Sequence, residues 1–318
     1  MKTVAMVLYD DVLALDVTGP MEVFSMANRY LPPERHYRLL TVAATPEGVR
    51  ASSGLKMSAD LALAELPAGV DLLLVPGGPG AYNGNNAALN AWLPAAARAA
   101  KRYGAVCTGA FLLGAAGLLD GYRCTTHWNY LERLAQLYPR TQVQAERIYV
   151  IDRNLITSGG VTAGIDMALA VVAEDHGKDV ALEVAKVLLV VLKRQGGQTP
   201  FGPLLVSVVR DGSVIARAQA YVVDHIDEPL TVNRLAEVVA MSPRNFARAF
   251  QRETSMTPMQ YVQSARIDHA RKLLESSDLP LKQVASRSGF GSPRHMRTVF
   301  GERIGMTPSQ YREQFGYA

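Results

Sequence analysis

The sequence has few cysteines and no long apolar run. Two cysteines in 318 residues cannot supply the disulfide framework of a small secreted protein. The uncharged stretch at residues 103–119 contains a cysteine, a threonine and four glycines and is short for a membrane span. The first residues lack the apolar segment and cleavage site of a secretory signal. We therefore expect a cytoplasmic protein with reduced thiols and no membrane association.

Charged residues are also scarce, at 19% against 48% hydrophobic residues, which excludes a disordered chain. The length predicts two domains. The net charge of +4 is unevenly distributed: residues 1–195 carry 18 basic and 18 acidic side chains, whereas residues 196–318 carry 15 and 11. Thirteen of those fifteen basic residues are arginines. A neutral half joined to an arginine-rich half predicts a sensing or catalytic domain fused to a module that binds a polyanion.

The first half alternates short apolar runs with helical segments. We predict strands at 4–8, 37–43, 71–75, 104–107, 148–151 and 155–157, and helices at 87–103, 109–119, 129–137, 163–176 and 180–193. This alternation predicts an α/β domain with a parallel sheet and helices on both faces. Because ligands of such domains bind beyond the carboxyl ends of the strands, the residues there are the candidate functional residues.

Cys107 occupies one of these strand ends. It follows a predicted strand, precedes a predicted helix and is followed by Thr108, Gly109 and Ala110. A nucleophile flanked by small residues between a strand and a helix is typical of a nucleophile elbow. The N-terminus of the following helix would favour the thiolate.

Other strand ends carry complementary groups. Gly77 and Gly78 could provide an anion hole together with the backbone N–H of Thr108, His127 could meet Cys107, and Asp16 is the candidate acid. Taken singly, a buried cysteine is usually inert, a histidine often only supports structure, and a Gly-Gly pair is often only a turn. Their order along one sheet favours a ligand cleft formed by Asp16, Gly77, Gly78, Cys107, Thr108 and His127.

Residues 1 to about 193 resemble the PfpI-type branch of the class I glutamine amidotransferase-like superfamily, which includes isonitrile hydratase. The matching segments are Asp16–Phe24, Pro76–Gly78, Val106–Ala110 and Thr126–Trp128. The resemblance implies a nucleophile role for Cys107 and an acid role for Asp16 if the domain is catalytic, with His127 where the superfamily often keeps a third member. Ala105 stands where many members have glycine.

The second half follows a Gly/Pro/Gln-rich linker, predicted at 194–212, and it contains a repeat. Residues 242–261 match residues 292–311 at nine of 20 positions, which indicates a duplication. Each copy predicts a helix-turn-helix unit within an all-α domain. The helices are expected at 231–240 and 243–253 in the first copy and at 281–288 and 293–303 in the second, joined by a long helix over 258–274.

The second helix of such a unit normally enters the major groove of DNA. The outward residues that we predict to contact DNA are Arg244, Asn245, Arg248 and Arg252 in the first copy and Arg294, His295, Arg297 and Thr298 in the second. Arginine binds guanine with two hydrogen bonds and also binds phosphate. A merely solvated face is the alternative, which the duplication and the charge distribution disfavour. Four apolar residues of these helices are predicted to be core: Phe246, Phe250, Met296 and Phe300.

Residues 213–318 resemble the AraC/XylS family. The matching residues are Leu235-Ala236, Phe246-x-Arg248-x-Phe250, Thr257-Pro258-x-x-Tyr261, Ala285, Gly289-Phe290, Phe300, and Gly305-Met306-Thr307-Pro308-x-x-Tyr311-Arg312. Thr298 stands where many members place an arginine, so the second helix-turn-helix copy departs from the family's pattern at this position. Two recognition helices on one rigid body could enter two successive major grooves of double-stranded DNA.

The whole chain resembles the GlxA-type regulators. This implies a sensor and dimerisation domain at 1–193, a linker at 194–212 and a DNA-binding domain at 213–318. The implied function is a sequence-specific transcriptional activator that responds to a small, nitrogenous effector and forms a homodimer through its first domain, without a metal or cofactor. The alternative is an active cysteine-dependent hydrolase or hydratase of the isonitrile hydratase type fused to a DNA-binding module.

Overall fold

A computed structural model describes residues 1–83, 86–190, 213–254 and 256–316. The chain divides into two compact units, Met1–Arg194 and Gln195–Ala318. The division falls at the start of the predicted linker, 194–212, which lies outside the described residues. Ser213, the next residue, caps the helix that follows. Within the described ranges, no helix is both long and apolar enough to cross a membrane.

The first unit is built around a seven-stranded sheet. Its described strands are β1 (Lys2–Val7), β2 (Tyr37–Ala43), β3 (Val49–Arg50), β4 (Lys56–Met57), β5 (Leu61–Ala62), β6 (Leu72–Val75), β7 (Arg102–Ala105), β8 (Arg123–Cys124), β9 (Gln142–Val143), β10 (Tyr149–Asp152) and β11 (Leu155–Ser158). The order in the sheet is β10–β11–β7–β6–β1–β2–β5. Every pair is parallel except β10 with β11. β6 and the last four residues of β1 are apolar and buried, because strands of a parallel sheet are covered on both faces.

Two groups of helices flank this sheet. The helices described in the first unit are α1 (Ala14–Ala27), α2 (Gly80–Asn83), α3 (Ala87–Ala99), α4 (Ala110–Ala115), α5 (Leu131–Leu137), α6 (Ala163–His176) and α7 (Lys178–Val187). α1, α6 and α7 pack together, and α4 packs against α2, α3 and α5. The predicted α/β fold with a mostly parallel sheet and flanking helices is therefore confirmed.

Some predicted boundaries were wrong. The helix expected at 87–103 ends at Ala99, because Lys101 and Arg102 already donate backbone hydrogen bonds to Val70 and Asp71 of the neighbouring strand segment. The helix expected at 109–119 ends at Ala115 and is followed by Gly117 in a left-handed conformation. α1 was not predicted at all.

The second unit is helical throughout its described part. Its helices are α8 (Val214–Asp224), α9 (Val232–Val238), α10 (Pro243–Thr254), α11 (Pro258–Ser276), α12 (Leu281–Arg287), α13 (Pro293–Ile304) and α14 (Pro308–Phe315). They enclose two separate apolar cores, one for each copy of the repeat. α11 contributes Tyr261 and Val262 to the first core and Ile267 and Leu274 to the second, so this one helix joins the two helix-turn-helix copies. This confirms the two predicted helix-turn-helix units.

Candidate functional site

Strand ends of the first unit bring three chain segments together. The Gly77 N–H donates to Asp16 Oδ2 over 2.9 Å, and the Gly78 N–H donates to Thr108 Oγ1 over 2.9 Å. A Cβ atom at Gly77 would lie 2.6 Å from Asp16 Oδ2 and 2.7 Å from the Thr108 nitrogen, so only glycine fits there. The predicted cleft residues from α1, the β6 loop and the β7 loop therefore form one cluster.

Cys107 lies at the centre of this cluster. It has a φ of 56°, an uncommon conformation for a residue other than glycine. Its side chain is buried, and its N–H donates to the Gly159 carbonyl over 3.1 Å. A strained residue between β7 and the turn that leads into α4 has the backbone geometry of a nucleophile elbow.

Burial dominates the electrostatics of the cluster. It raises the pKa of Asp16 to about 7, against the lowering effects of the Gly77 N–H and the Cys107 thiol. Burial, and then the proximity of Asp16, raise the pKa of Cys107 to about 12. This shift favours the neutral thiol near pH 7 and opposes the effect of the following helix, because desolvation outweighs the hydrogen bonds from Thr108 and Val161.

His127 is close to the cluster but is not bonded to Cys107. Its Nδ1 accepts the Asn129 N–H over 3.2 Å, and its ring packs against the Cα atom of Gly160. Burial lowers its pKa, and Cys107 does not contribute to that shift. Within the described ranges, no hydrogen bond completes a Cys–His–Asp triad. Nor do these ranges contain three His, Cys, Asp or Glu side chains placed to hold a metal ion.

Aromatic side chains beside the cluster were missed by the sequence reasoning. The Tyr9 hydroxyl donates to the Pro76 carbonyl over 2.6 Å, and the Tyr82 and Tyr130 hydroxyls lie 2.7 Å apart. Tyr130 also lies edge-on to His127, with ring centroids 5.9 Å apart. These tyrosines come from scattered positions with no common spacing. Residues 159–160 form a fourth segment of the cluster, which the sequence reasoning also missed. The available signal was that this Gly-Gly pair follows a strand, as Gly77-Gly78 does.

The recognition helices of the second unit present the predicted DNA-contacting residues to solvent. All eight are exposed: Arg244, Asn245, Arg248, Arg252, Arg294, His295, Arg297 and Thr298. Their apolar neighbours Phe246, Phe250, Met296 and Phe300 are buried, which confirms the predicted core positions.

The two copies also begin their helices in the same way. Ser242 and Ser292 cap α10 and α13 by accepting the N–H three residues later. At the start of the next helix, Thr257 exchanges hydrogen bonds with Gln260, and Thr307 does so with Gln310, at matching distances of 2.9 and 3.3 Å. The duplication is therefore one of geometry as well as sequence.

Comparison with known proteins follows the same division. The model of the DJ-1/PfpI family matches residues 2–174. The chain belongs to the DJ-1/PfpI family. A helix-turn-helix domain model matches residues 235–314, so the DJ-1/PfpI domain is followed by a DNA-binding type of domain. The two-domain resemblance predicted from the sequence is thereby confirmed.

Two relatives of this DJ-1/PfpI member bear on the two alternatives, a transcriptional regulator and an enzyme of the isonitrile hydratase type. The HTH-type transcriptional regulator GbdR of Pseudomonas aeruginosa is 31% identical over 312 residues, covering 98% of this chain and 84% of that protein. Isonitrile hydratase of Pseudomonas putida is 35% identical over 180 residues, covering 56% of this chain and 74% of the enzyme. The match to the enzyme therefore covers only part of the chain, whereas the match to the regulator spans both units.

A crystal structure of a ThiJ/PfpI family protein from Pseudomonas syringae is 27% identical to this chain. It covers 75% of this chain and 90% of its own, with a TM-score of 0.52. This likeness supports the assignment of the first unit to the DJ-1/PfpI fold.

Proposed function

We propose that this protein is a cytoplasmic, sequence-specific DNA-binding transcriptional activator whose first unit binds a small effector. The observation that carries the proposal is the pair of duplicated recognition helices, α10 and α13, which together expose five of the predicted arginines. Full-length similarity to a named transcriptional regulator supports it.

The DNA-binding step follows from the geometry of the second unit. α10 and α13 each share an apolar core with α11, and in this proposal they form one rigid body suited to two successive major grooves about 34 Å apart. Arg244, Arg248 and Arg252 can donate to guanine O6 and N7 or to phosphates. Binding should weaken with salt, because each phosphate contact releases counterions.

The effector site is the cluster around Asp16 and Cys107. The buried carboxyl of Asp16 can accept a hydrogen bond from a nitrogen-containing metabolite or pair with its positive charge. The rings of Tyr82 and Tyr130 beside it provide an apolar wall. Oδ1 of Asp16 is buried without a well-formed hydrogen bond, so one acceptor is left unpaired within the cluster. The first unit also forms a homodimer in this proposal, and the effector alters how the dimer engages paired DNA sites.

The test is binding of the full chain to DNA selected from a random pool. Arg248→Ala should lose about 1–3 kcal/mol of affinity for the selected sequence and less for random DNA, because base contacts are lost only at the specific site. Arg98→Ala is the matched control, since it removes an exposed arginine from the first unit. Titrations followed by fluorescence anisotropy measure both. Equal losses on specific and random DNA would exclude base contact by Arg248, and a wild-type chain that selects no sequence would overturn the proposed function.

A further inference from the structure

The two recognition helices differ at the positions that point farthest from their cores. Phe246 and Phe250 are buried on α10, and the opposite side of a helix with 3.6 residues per turn carries Arg248 and Arg252. The repeat, shifted by 50 residues, places Thr298 and Glu302 at these positions of α13, opposite buried Met296 and Phe300. Two cationic donors in one helix are thus replaced by a hydroxyl and a carboxylate in the other.

Nothing within the second unit accounts for Glu302 as a stabilising residue. It is exposed and forms no ion pair with any residue in the described ranges. It also lies in the last turn of α13, where a negative charge is unfavourable because the carboxyl end of the helix dipole is itself negative. The residue therefore costs a little stability in the free protein.

Thr298 shares the hydrogen-bonding character of Glu302. Its hydroxyl donates to the Arg294 carbonyl over 3.2 Å, so only its oxygen lone pairs remain for a partner. The two side chains are four residues apart, which is about 6 Å along the helix and close to two base-pair steps. α13 therefore presents two acceptors where α10 presents two donors.

We propose that Glu302 is a specificity-determining residue whose carboxylate accepts a hydrogen bond from the N4 amino group of a cytosine. The inference rests on the proposed DNA-binding function. Phosphates would repel this carboxylate, and guanine and thymine present acceptors in the major groove. Adenine sets its N7 acceptor beside its amino group, whereas the cytosine edge offers the amino group alone. The DNA segment under α13 thus differs in kind from the guanine-containing segment under α10.

The experiment uses the full chain and its selected DNA sequence, in which each base pair is then changed in turn. The wild type should lose roughly 5- to 150-fold in affinity when the cytosine under α13 is replaced. Glu302→Ala should abolish that discrimination. Glu302→Gln should move the preference towards adenine, because an amide can pair with both N6 and N7. Glu313→Ala removes an exposed carboxylate of α14 and is the matched control, expected to leave the preference unchanged.

Two results would overturn the inference. If Glu302→Ala strengthens binding to every sequence equally, the carboxylate faces phosphates and not a base. If Glu302→Ala leaves all affinities as they are, α13 does not bring this position to the DNA. Both results leave sequence-specific binding by α10 intact, so they are distinct from failure of the proposed function, in which the wild type selects no sequence.

Discussion

The buried carboxyl of Asp16 makes the stability of the first unit depend on pH in a predictable direction. Burial raises its pKa from 3.8 to about 7 in the folded protein. An acid with a raised folded-state pKa stabilises the fold fully at low pH, and that contribution is lost as pH rises through the folded-state pKa. Each pKa unit corresponds to about 1.4 kcal/mol, so this loss amounts to about 3 kcal/mol between pH 5 and pH 9.

Asp16→Asn removes this titration and keeps an acceptor for the Gly77 N–H. The free energy of unfolding of the variant should rise relative to the wild type by about 3 kcal/mol between pH 5 and pH 9. A constant offset is also expected, because the new amide must find a partner where Oδ1 has none. The prediction therefore concerns how the difference in unfolding free energy between variant and wild type changes with pH. It does not concern whether the variant is more or less stable at any one pH.

Urea unfolding followed by tryptophan fluorescence is the suitable assay. The two tryptophans, Trp92 and Trp128, both lie in the first unit, so the signal reports its unfolding and not that of the second unit. Asp179→Asn, which removes an exposed carboxylate of the same unit, controls for the change in net charge. A difference between Asp16→Asn and the wild type that is flat, or that falls as pH rises, would refute the assignment of the raised pKa to Asp16.

Two further predictions concern the first unit. Asp175→Asn should destabilise the first unit by about 2–4 kcal/mol near pH 7. The nearly buried carboxylate of Asp175 accepts hydrogen bonds from Lys2, Arg102 and Tyr37 at 2.6–3.0 Å, and the variant loses part of this network. Lys2 and Arg102 hold the pKa of Asp175 below the usual range, so the destabilisation should shrink as pH falls below about 4. Exposed Glu174→Gln is the neighbouring control in the same unfolding assay, and an equal loss in both variants would contradict the role of burial. Cys107→Ser should leave DNA affinity unchanged, because the predicted DNA contacts lie in the second unit. It should still permit effector binding, because the neutral, buried thiol is not required as a nucleophile. A covalent adduct on Cys107 after treatment with a metabolite, found by mass spectrometry, would instead favour the enzymatic alternative.

The sequence predicted those features that depend on local patterns. Apolar runs located the main strands, and the convergence of strand ends placed Asp16, Gly77 and Cys107 in one region. It did not predict α1, because Gly19 and Pro20 lie within that helix and both disfavour a helix interior. The orientation of Asp16 towards the Gly77 N–H depends on α1, so this contact could not be inferred either.

Side-chain ionisation was beyond the reach of sequence patterns for a related reason. A cysteine before a helix suggests a thiolate when only the local helix is considered. The raised pKa of Cys107 is caused by burial and by Asp16, which is 91 positions away in the chain.

The position of His127 also depends on the tertiary fold. β8 and β9 form a separate two-stranded sheet, so His127 does not follow a strand of the central sheet.

Comparison of the two copies of the repeat distinguishes residues that the fold requires from exposed residues that can differ between the copies. Identities between the copies include the capping serines, the buried Phe250 and Phe300, and the threonine–glutamine caps. A change at any of these positions would expose a helix terminus or open a core. Among the outward positions, Arg244 matches Arg294, but Arg248 and Arg252 of the first copy are replaced by Thr298 and Glu302 in the second. Because exposed side chains there contribute little to either core, these positions can differ between the copies without loss of the fold, as the proposed contact with two different DNA segments requires.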